Sequence, residues 1–164
     1  YITTDLTDEV LEMKLQALEL SIRGYTNNNF QVRAIRTACP ILNQKIYTKY
    51  PHFAVGDTIQ ISESQFNNGI YVIKNIEEGY VELNKALLDE SDVLVTKVEY
   101  PIDVVMGVIN MLKWDIDNRD KVGIQSETLS RHSVTYFDMN GDNSIMGYPK
   151  SLVGFLNEYK RARF

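Results

Sequence analysis

The spacing of apolar and polar positions changes twice along the chain. From residue 7 to residue 25, apolar side chains recur every three or four positions, which places them on one face of a helix. From about residue 31 to residue 100 they occur in short runs with strand character, and helical spacing returns at Pro101. The pattern predicts an α+β fold in which helices flank a β-rich segment.

A first helix is predicted to begin after Thr7 and to end near Gly24. Thr7 is a typical N-cap residue, and two carboxylates follow it in the first turn. Gly24 and the polar residues 26–29 end the helix, because Gly and Asn tolerate the left-handed backbone of a helix stop. The apolar stripe consists of Leu11, Leu15, Leu18, Ile22 and Tyr25.

Short apolar runs bounded by turn sequences characterise the middle of the chain. The predicted strands are residues 58–61, 70–73, 80–83 and 93–98. The dipeptides Asn68-Gly69 and Glu78-Gly79 precede two of them and favour turns. Strands this short and closely spaced favour a small antiparallel barrel or curled sheet over parallel β-α-β units. We therefore predict an inserted β module, residues 31–100, within a small helical bundle formed by residues 1–30 and 101–164.

A second helix is predicted from Pro101, which suits a first turn, to Trp114. Apolar side chains cover almost its whole circumference, so the helix is either buried on all sides or packed between its own core and a neighbouring subunit. The pattern leaves both interpretations open. The residues predicted to lie at or beside a subunit interface, as well as the core, are Met106, Ile109 and Leu112.

Residues 147–164 predict a short helix that runs into a basic, aromatic end. Pro149 suits the first helical position. The apolar stripe of this helix is Leu152, Phe155, Leu156 and Tyr159. One interpretation is a helix packed on its own core, with cations stabilising its C-terminus. The other is a docking segment, whose contact residues would be Phe155, Tyr159, Lys160, Arg161, Arg163 and Phe164.

Composition and charge narrow the class of protein. A chain of 164 residues with 44% hydrophobic and 24% charged residues is an ordinary globular protein, long enough for one core and a small inserted module. The formal net charge of -5 argues against a general nucleic-acid binder. No signal-peptide pattern and no long apolar run occur, so we expect a chain of cytosolic origin without a membrane partner. The single Cys39 excludes an internal disulfide and is interpreted as a buried or incidental thiol.

Candidate chemistry is sparse. Residues 138–149 open with the spacing of a calcium loop, but Asn143 stands at the glycine position and Pro149 at the position of the bidentate glutamate. His52 and His132 lie in different segments, without Cys or His at ligand spacing. No nucleophile motif, phosphate-binding loop or dinucleotide fingerprint occurs. We therefore expect no enzymatic activity, no cofactor and no metal.

Three short motifs in a fixed order carry a resemblance to a known family. Residues 25–30 (YTNNNF) close the first helix, residues 123–127 (GIQSE) lead to residues 133–136 (SVTY), and residues 148–152 (YPKSL) open the last helix. Together with the order of elements, they resemble the head-tail connector, or adaptor, family of long-tailed bacteriophages and of prophages in Gram-positive bacteria. The resemblance covers the helical parts of the chain.

The resemblance implies a structural virion protein. It implies a homo-oligomeric ring, dodecameric like the portal, whose C-terminal segment reaches the portal protein and whose other partners are downstream head-tail joining, or stopper, proteins. It also implies transient, non-specific contact with packaged DNA, assembly in the host cytoplasm and a final location at the head-tail interface. Residues 126–136 correspond to a loop near the ring lumen or between subunits. Compact family members lack the segment 31–100, and the resemblance gives that module no ligand.

Two alternatives from other classes stay open. The first is a single-stranded nucleic-acid binder that uses the β module as a barrel, which requires basic residues interleaved with aromatic ones. Here Tyr71, Lys74, Tyr80 and Lys85 are outnumbered by the carboxylates Glu63, Glu77, Glu78, Glu82, Asp89 and Glu90. The second is a small hydrolase, for which the sequence offers no pairing of nucleophile and base.

Overall fold

The structure is a computed structural model that describes residues 4–48, 52–118, 126–129, 132–135 and 143–162. The chain divides into two compact units, Tyr1–Asn28 with Pro101–Phe164, and Asn29–Tyr100. The first unit holds the helices and the second is a closed barrel of six antiparallel strands, so the predicted α+β class and the predicted barrel are confirmed. That residues 31–100 form a separate domain stays a prediction.

Helix α1 spans Asp8–Thr26 and begins at the predicted cap. The Thr7 hydroxyl accepts a hydrogen bond from the Val10 backbone N–H at 3.4 Å. The helix continues through Gly24 and ends at Asn27, whose backbone is left-handed with φ 50°. Asparagine supplies this stop because its short polar side chain tolerates the left-handed region.

Helix α2 spans Ile102–Asn118 and is buried along one side only. Its buried residues are Val104, Gly107, Met111, Leu112 and Asp115. A Cβ atom at Gly107 would lie 2.1 Å from the ring of Phe155, so glycine is required where the C-terminal segment crosses the helix. The all-round apolar sequence of α2 therefore has one side in the core and another at the surface.

The C-terminal segment is less regular than predicted. Helix α3 spans only Lys150–Val153 and is followed by a 3-10 helix, Gly154–Tyr159. Pro149 belongs to a strand and precedes the helix. Val153, the last residue of α3, and Leu156 in the 3-10 helix are the fully buried pair. The predicted α-helical stripe was wrong in this respect, since Val153 was not part of it.

The barrel consists of β1 (Gln31–Leu42), β2 (Lys45–Tyr47), β3 (Thr58–Ser62), β4 (Gly69–Glu77), β5 (Tyr80–Leu83) and β6 (Glu90–Val98). The strands close in the order β1-β2-β5-β4-β3-β6. Alternate residues point inward, as Ile59 and Ile61 do in β3. The interior is filled mainly by Ile41, Ile46, Ile59, Ile61, Ile73, Val93 and Val95.

The four predicted strands correspond to β3, β4, β5 and β6 and are confirmed, whereas β1 and β2 were missed. Residues 78 and 79 form the predicted two-residue hairpin turn between β4 and β5, with Gly79 at φ 94°. Asn68-Gly69 is not a tight turn, because β3 ends at Ser62 and the connecting loop runs from residue 63 to residue 68.

Two short hairpins belong to the helical unit. Strands β7 (Ser126–Leu129) and β8 (His132–Thr135) pair in antiparallel fashion. Strands β9 (Ser144–Ile145) and β10 (Tyr148–Pro149) also pair, through a turn in which Met146 and Gly147 have positive φ. The segment 138–142, which opens the rejected calcium loop, lies outside the described residues.

Candidate assembly surfaces

Helix α2 carries a row of exposed apolar side chains. Ile102, Val105, Met106 and Ile109 are 77%, 39%, 50% and 37% exposed. Their spacing of three, four and seven residues puts them on one face, opposite the residues that enter the core. We call these four residues the α2 face. A contiguous exposed apolar surface of this kind is typical of an interaction site.

The structure distinguishes the three residues that were predicted at a subunit interface. Met106 and Ile109 belong to the α2 face, whereas Leu112 is 4% exposed and packs inside the helical unit. Ile102 and Val105 were missed. Their spacing relative to Met106 is visible in the sequence, but a helix that is apolar on all sides does not reveal which side faces outward. Of the three residues predicted at a subunit interface, only Met106 and Ile109 are therefore at the surface.

Helix α1 carries a second apolar row, which is exposed except at the half-buried Val10. Val10, Met13, Ala17, Leu20 and Gly24 follow one another at alternating steps of three and four residues. Met13 and Leu20 are 61% and 67% exposed. We call these five residues the α1 seam. The sequence prediction selected the opposite row of α1 as apolar, of which Leu18 and Ile22 are indeed buried.

The aromatic residues of the proposed docking segment contact the helical unit itself. The Tyr159 hydroxyl donates to the two carboxylate oxygens of Asp103 at 2.8 and 2.7 Å, and this hydrogen bond raises the pKa of Tyr159. Phe155 covers Gly107 on the same helix. Both side chains are half-buried. Their main role in the protomer is to hold the C-terminal segment against α2.

The basic residues that follow lie along the end of α1. The Lys160 ammonium is 4.1 Å from the centroid of the Tyr25 ring, and the Arg161 backbone N–H donates to the Thr26 carbonyl at 2.8 Å. Asn28 donates its side-chain amide to the Tyr159 carbonyl at 3.2 Å. Residues 25–28, part of the motif that carries the resemblance, thus hold the C-terminal segment.

Lys160 and Arg161 remain exposed at the surface of the helical unit. They are the members of the proposed portal-binding set that the structure leaves accessible. Arg163 and Phe164, which complete that set, lie outside the described residues.

A cavity of about 260 Å³ lies beside an ion pair in the helical unit. The Lys14 ammonium is 2.5 Å from one carboxylate oxygen of Asp115, and the Tyr148 hydroxyl donates to the other at 3.3 Å. Ser21 also lines the cavity, but its hydroxyl donates to the Ala17 carbonyl at 2.8 Å, so its proton is not directed at a base. The arrangement links α1, α2 and β10 and lacks an activated nucleophile.

The β3–β4 loop of the barrel is held by a dense set of hydrogen bonds. Glu90 accepts from the Ser64 hydroxyl, from the Gln65 backbone N–H at 2.6 Å and from the Asn67 amide at 2.5 Å. These bonds, that from Ser64 foremost, lower the pKa of Glu90. Phe66 is 62% exposed on this loop. The barrel thus presents an aromatic side chain on a rigid support.

An aromatic pair lies on the outer surface of the barrel. Tyr47 and Tyr80 are directly paired across β2 and β5, with ring centroids 6.0 Å apart. The Lys45 ammonium is 3.9 Å from the centroid of the Tyr80 ring and 3.1 Å from a carboxylate oxygen of Glu82. This surface therefore offers aromatic rings for stacking, and the cation beside them, Lys45, is already paired with the carboxylate of Glu82.

No protein-family model matches the chain, and no curated protein matches it. Within the described residues, no group of three or more His, Cys, Asp or Glu side chains is placed to hold a metal ion. In the same part of the chain, no helix combines the length and the apolar character needed to cross a membrane.

Proposed function

We propose that this protein is a structural subunit of a homo-oligomeric ring, the head-tail connector of a long-tailed bacteriophage or prophage. The ring would join the portal to the downstream stopper proteins and the tail and let DNA pass through. The observation that supports the proposal most is the α2 face, because the helix is buried on one side and apolar on the exposed side. The order of the three short sequence motifs supports the identification of this ring as a head-tail connector.

A ring places a physical demand on its subunits. Each copy needs two different surfaces that fit together head to tail, in addition to its own core. Burying an exposed Ile or Met side chain contributes on the order of 1.5–3 kcal/mol, so the four residues of the α2 face supply a substantial part of an interface. In the proposed ring, α1, α2 and the C-terminal segment form the helical bundle of each subunit.

The charge of the chain suits the passage of DNA. Binding of DNA is driven by cations that replace counterions on the phosphates. With a formal net charge of -5 per copy, a ring of these subunits offers packaged DNA no strong general clamp. Contact with DNA would be transient and non-specific, which is the useful property for a channel.

The portal is the proposed partner of the C-terminal segment. Lys160 and Arg161 are exposed, and Phe155 and Tyr159 fix the backbone that carries them. Arg163 and Phe164 would extend the contact. Cations at an acidic portal surface would contribute mainly to association rate and salt dependence.

Mass photometry of the purified chain, with and without the portal protein of the same virus, tests the proposal. We expect monomers or small oligomers alone, and a ring-sized increase in mass when the portal is present. A chain that stays monomeric and does not bind the portal at micromolar concentration would refute the proposed function.

A single-stranded nucleic-acid-binding barrel is the second candidate. The pair Tyr47 and Tyr80, with Lys45 beside it, is the observation that favours it, because bases stack on aromatic side chains. Fluorescence anisotropy with a labelled oligothymidine decides the case. Salt-sensitive binding that is lost in Tyr80→Ala would support this candidate, and absence of binding at low salt would remove it.

A further inference from the structure

We propose that the C-terminal end of α1 is a binding site for peptide main chain, and that Asn27 and Asn28 act there as positioning residues for the portal contact. The two asparagines fix the backbone on either side of Lys160 and Arg161, whose side chains then face the portal. This inference rests on the proposed function and names the residues that set the geometry of its portal contact. We call Thr26, Asn27 and Asn28 the main-chain site.

The backbone of α1 provides the first contact of the main-chain site. The last carbonyl groups of an α-helix have no hydrogen-bond partner within the helix. The carbonyl of Thr26, the last residue of α1, accepts from the Arg161 backbone N–H at 2.8 Å. The same end of the helix dipole is negative, which favours the cations of the C-terminal segment at this place. The segment therefore satisfies a polar group for which α1 has no partner of its own.

The two asparagines provide the second and third contacts, and both reach main-chain carbonyl groups. Asn27 donates its side-chain amide to the Ala162 carbonyl at 2.9 Å. Asn28, which is 5% exposed, donates its side-chain amide to the Tyr159 carbonyl at 3.2 Å. Because all three contacts of the site are made to backbone groups, they fix the path of the segment without using its charged side chains.

Asn27 has a backbone conformation that few residue types tolerate. Its φ is 50°, in the left-handed region that ends α1. Glycine also tolerates this region and would end the helix equally well, but it has no side-chain amide. A change of Asn27 to glycine therefore removes the contact with Ala162 and keeps the helix stop.

Lys160 and Arg161 lie between the two carbonyl groups that the asparagines bind. The 3-10 helix ends at Tyr159, and Lys160 has an extended backbone with φ -66° and ψ 132°. Asn28 binds the carbonyl that precedes the pair, and Asn27 binds the carbonyl that follows it. Both cationic residues are exposed. A backbone that is fixed in advance lowers the cost of ordering these long side chains when a partner binds.

Limited digestion with trypsin measures how firmly the main-chain site holds the segment. Trypsin cleaves after Lys and Arg and needs several residues of open backbone, so the cleavage rate reports local opening. We expect cleavage after Lys160 and Arg161, followed by intact-mass spectrometry, to be several-fold faster in Asn27→Gly than in the wild-type chain. The thermal unfolding midpoint should change little, because the helix stop is kept.

A matched control is Asn43→Gly, since Asn43 is an exposed residue of the barrel with a left-handed backbone at φ 51°. This variant should be cleaved after Lys160 and Arg161 at the wild-type rate. Asn27→Asp is a second variant of the site. It keeps the size of the side chain, but a carboxylate cannot donate to a carbonyl, so it should be cleaved as fast as Asn27→Gly.

A double-mutant cycle on the rate of association with the portal tests the positioning role. Asn27→Gly removes no charge, yet it should slow association several-fold and weaken the salt dependence, because the two cations lose their fixed position. In a chain in which Lys160 and Arg161 are already Ala, Asn27→Gly should have no further effect. A purely structural role of Asn27 would slow association equally in both backgrounds.

The outcomes separate this inference from the proposed function. An unchanged cleavage rate in Asn27→Gly, or equal slowing of association with and without the two cations, would overturn the inference and leave the ring proposal intact. Failure of the wild-type chain to bind the portal would refute the proposed function and the positioning role. The cleavage rates would then still decide whether the main-chain site holds the segment.

Discussion

At the scale of the residue, two glycines within helices differ in how closely other side chains approach them. Gly107 in α2 lies under the ring of Phe155, which an added Cβ atom would approach to 2.1 Å. Gly24 in α1 has no side chain of the described residues within 4 Å of the same position. The same substitution at the two sites therefore tests whether the C-terminal segment packs as described.

We expect Gly107→Ala to destabilise the helical unit by about 1–3 kcal/mol, because Phe155 cannot keep its place. Gly24→Ala should stabilise the unit by roughly 0.5–1 kcal/mol through helix propensity. Urea denaturation followed by far-UV circular dichroism measures both. Equal effects of the two substitutions would contradict the contact between Phe155 and Gly107.

A substitution at the surface residue Met106 can distinguish an effect on assembly from an effect on folding. We expect Met106→Asp to prevent ring formation on the portal, because a carboxylate cannot be buried in an apolar contact without a partner. The monomer should keep its fold, since Met106 is 50% exposed. Asn110→Asp, which places the same charge at an exposed polar position one turn further along α2, is the control for folding and should leave the monomer folded.

Mass photometry reports ring formation, and thermal unfolding reports the monomer. If Met106→Asp unfolds the chain while Asn110→Asp does not, Met106 belongs to the core and the interface prediction is wrong.

At the scale of the element, the β3–β4 loop depends on the ionised form of Glu90. The pKa of Glu90 is lowered in the folded state by its hydrogen bonds. A lowered carboxylate pKa contributes stability above the ordinary value of ~4.3, and this contribution is lost as pH falls through the folded-state pKa. We therefore expect Glu90→Gln to lower the melting temperature of the chain at pH 7 and to have little effect near pH 3.

Thermal unfolding of the wild-type chain and of Glu90→Gln at both pH values measures this difference. Glu78→Gln removes a carboxylate from the exposed β4–β5 turn and serves as the control. A Glu90→Gln effect that is the same at pH 7 and pH 3 would mean that the loop does not depend on the carboxylate.

At the scale of the whole molecule, the C-terminal segment has an inner and an outer part. Tyr159 is bound to Asp103, whereas Lys160 and Arg161 are exposed. We expect the double change of Lys160 and Arg161 to Ala to slow association with the portal and to weaken its salt dependence. Tyr159→Phe should instead lower the stability of the helical unit.

Biolayer interferometry against immobilised portal at two salt concentrations measures the association rate. The double variant should lose stability by no more than ~1 kcal/mol, the typical worth of an exposed cation–π contact. An association rate and salt dependence equal to those of the wild-type chain would exclude these two residues from the portal contact.

The sequence alone was sufficient for features that depend on neighbouring residues. The Thr7 cap, the Glu78-Gly79 turn and four barrel strands were predicted, because capping, turn geometry and alternation are properties of short segments. Strands β1 and β2 were missed. Much of β1 is exposed, and its pairing with β6 shifts register at two places. Its inward-facing residues therefore do not alternate regularly along the sequence. Its pairing with β6 joins residues far apart in the chain.

Only the tertiary structure decided which sides of the helices face outward. The α2 sequence is apolar all round, so the choice between Leu112 in the core and Met106 at the surface depends on where α1 and the C-terminal segment pack. The α1 seam was not predicted for the same reason. Both it and the buried row have apolar residues at helical spacing, so the spacing alone does not show which row is buried. Residue spacing determines that a helix has an apolar face, whereas burial of that face depends on partners distant in sequence.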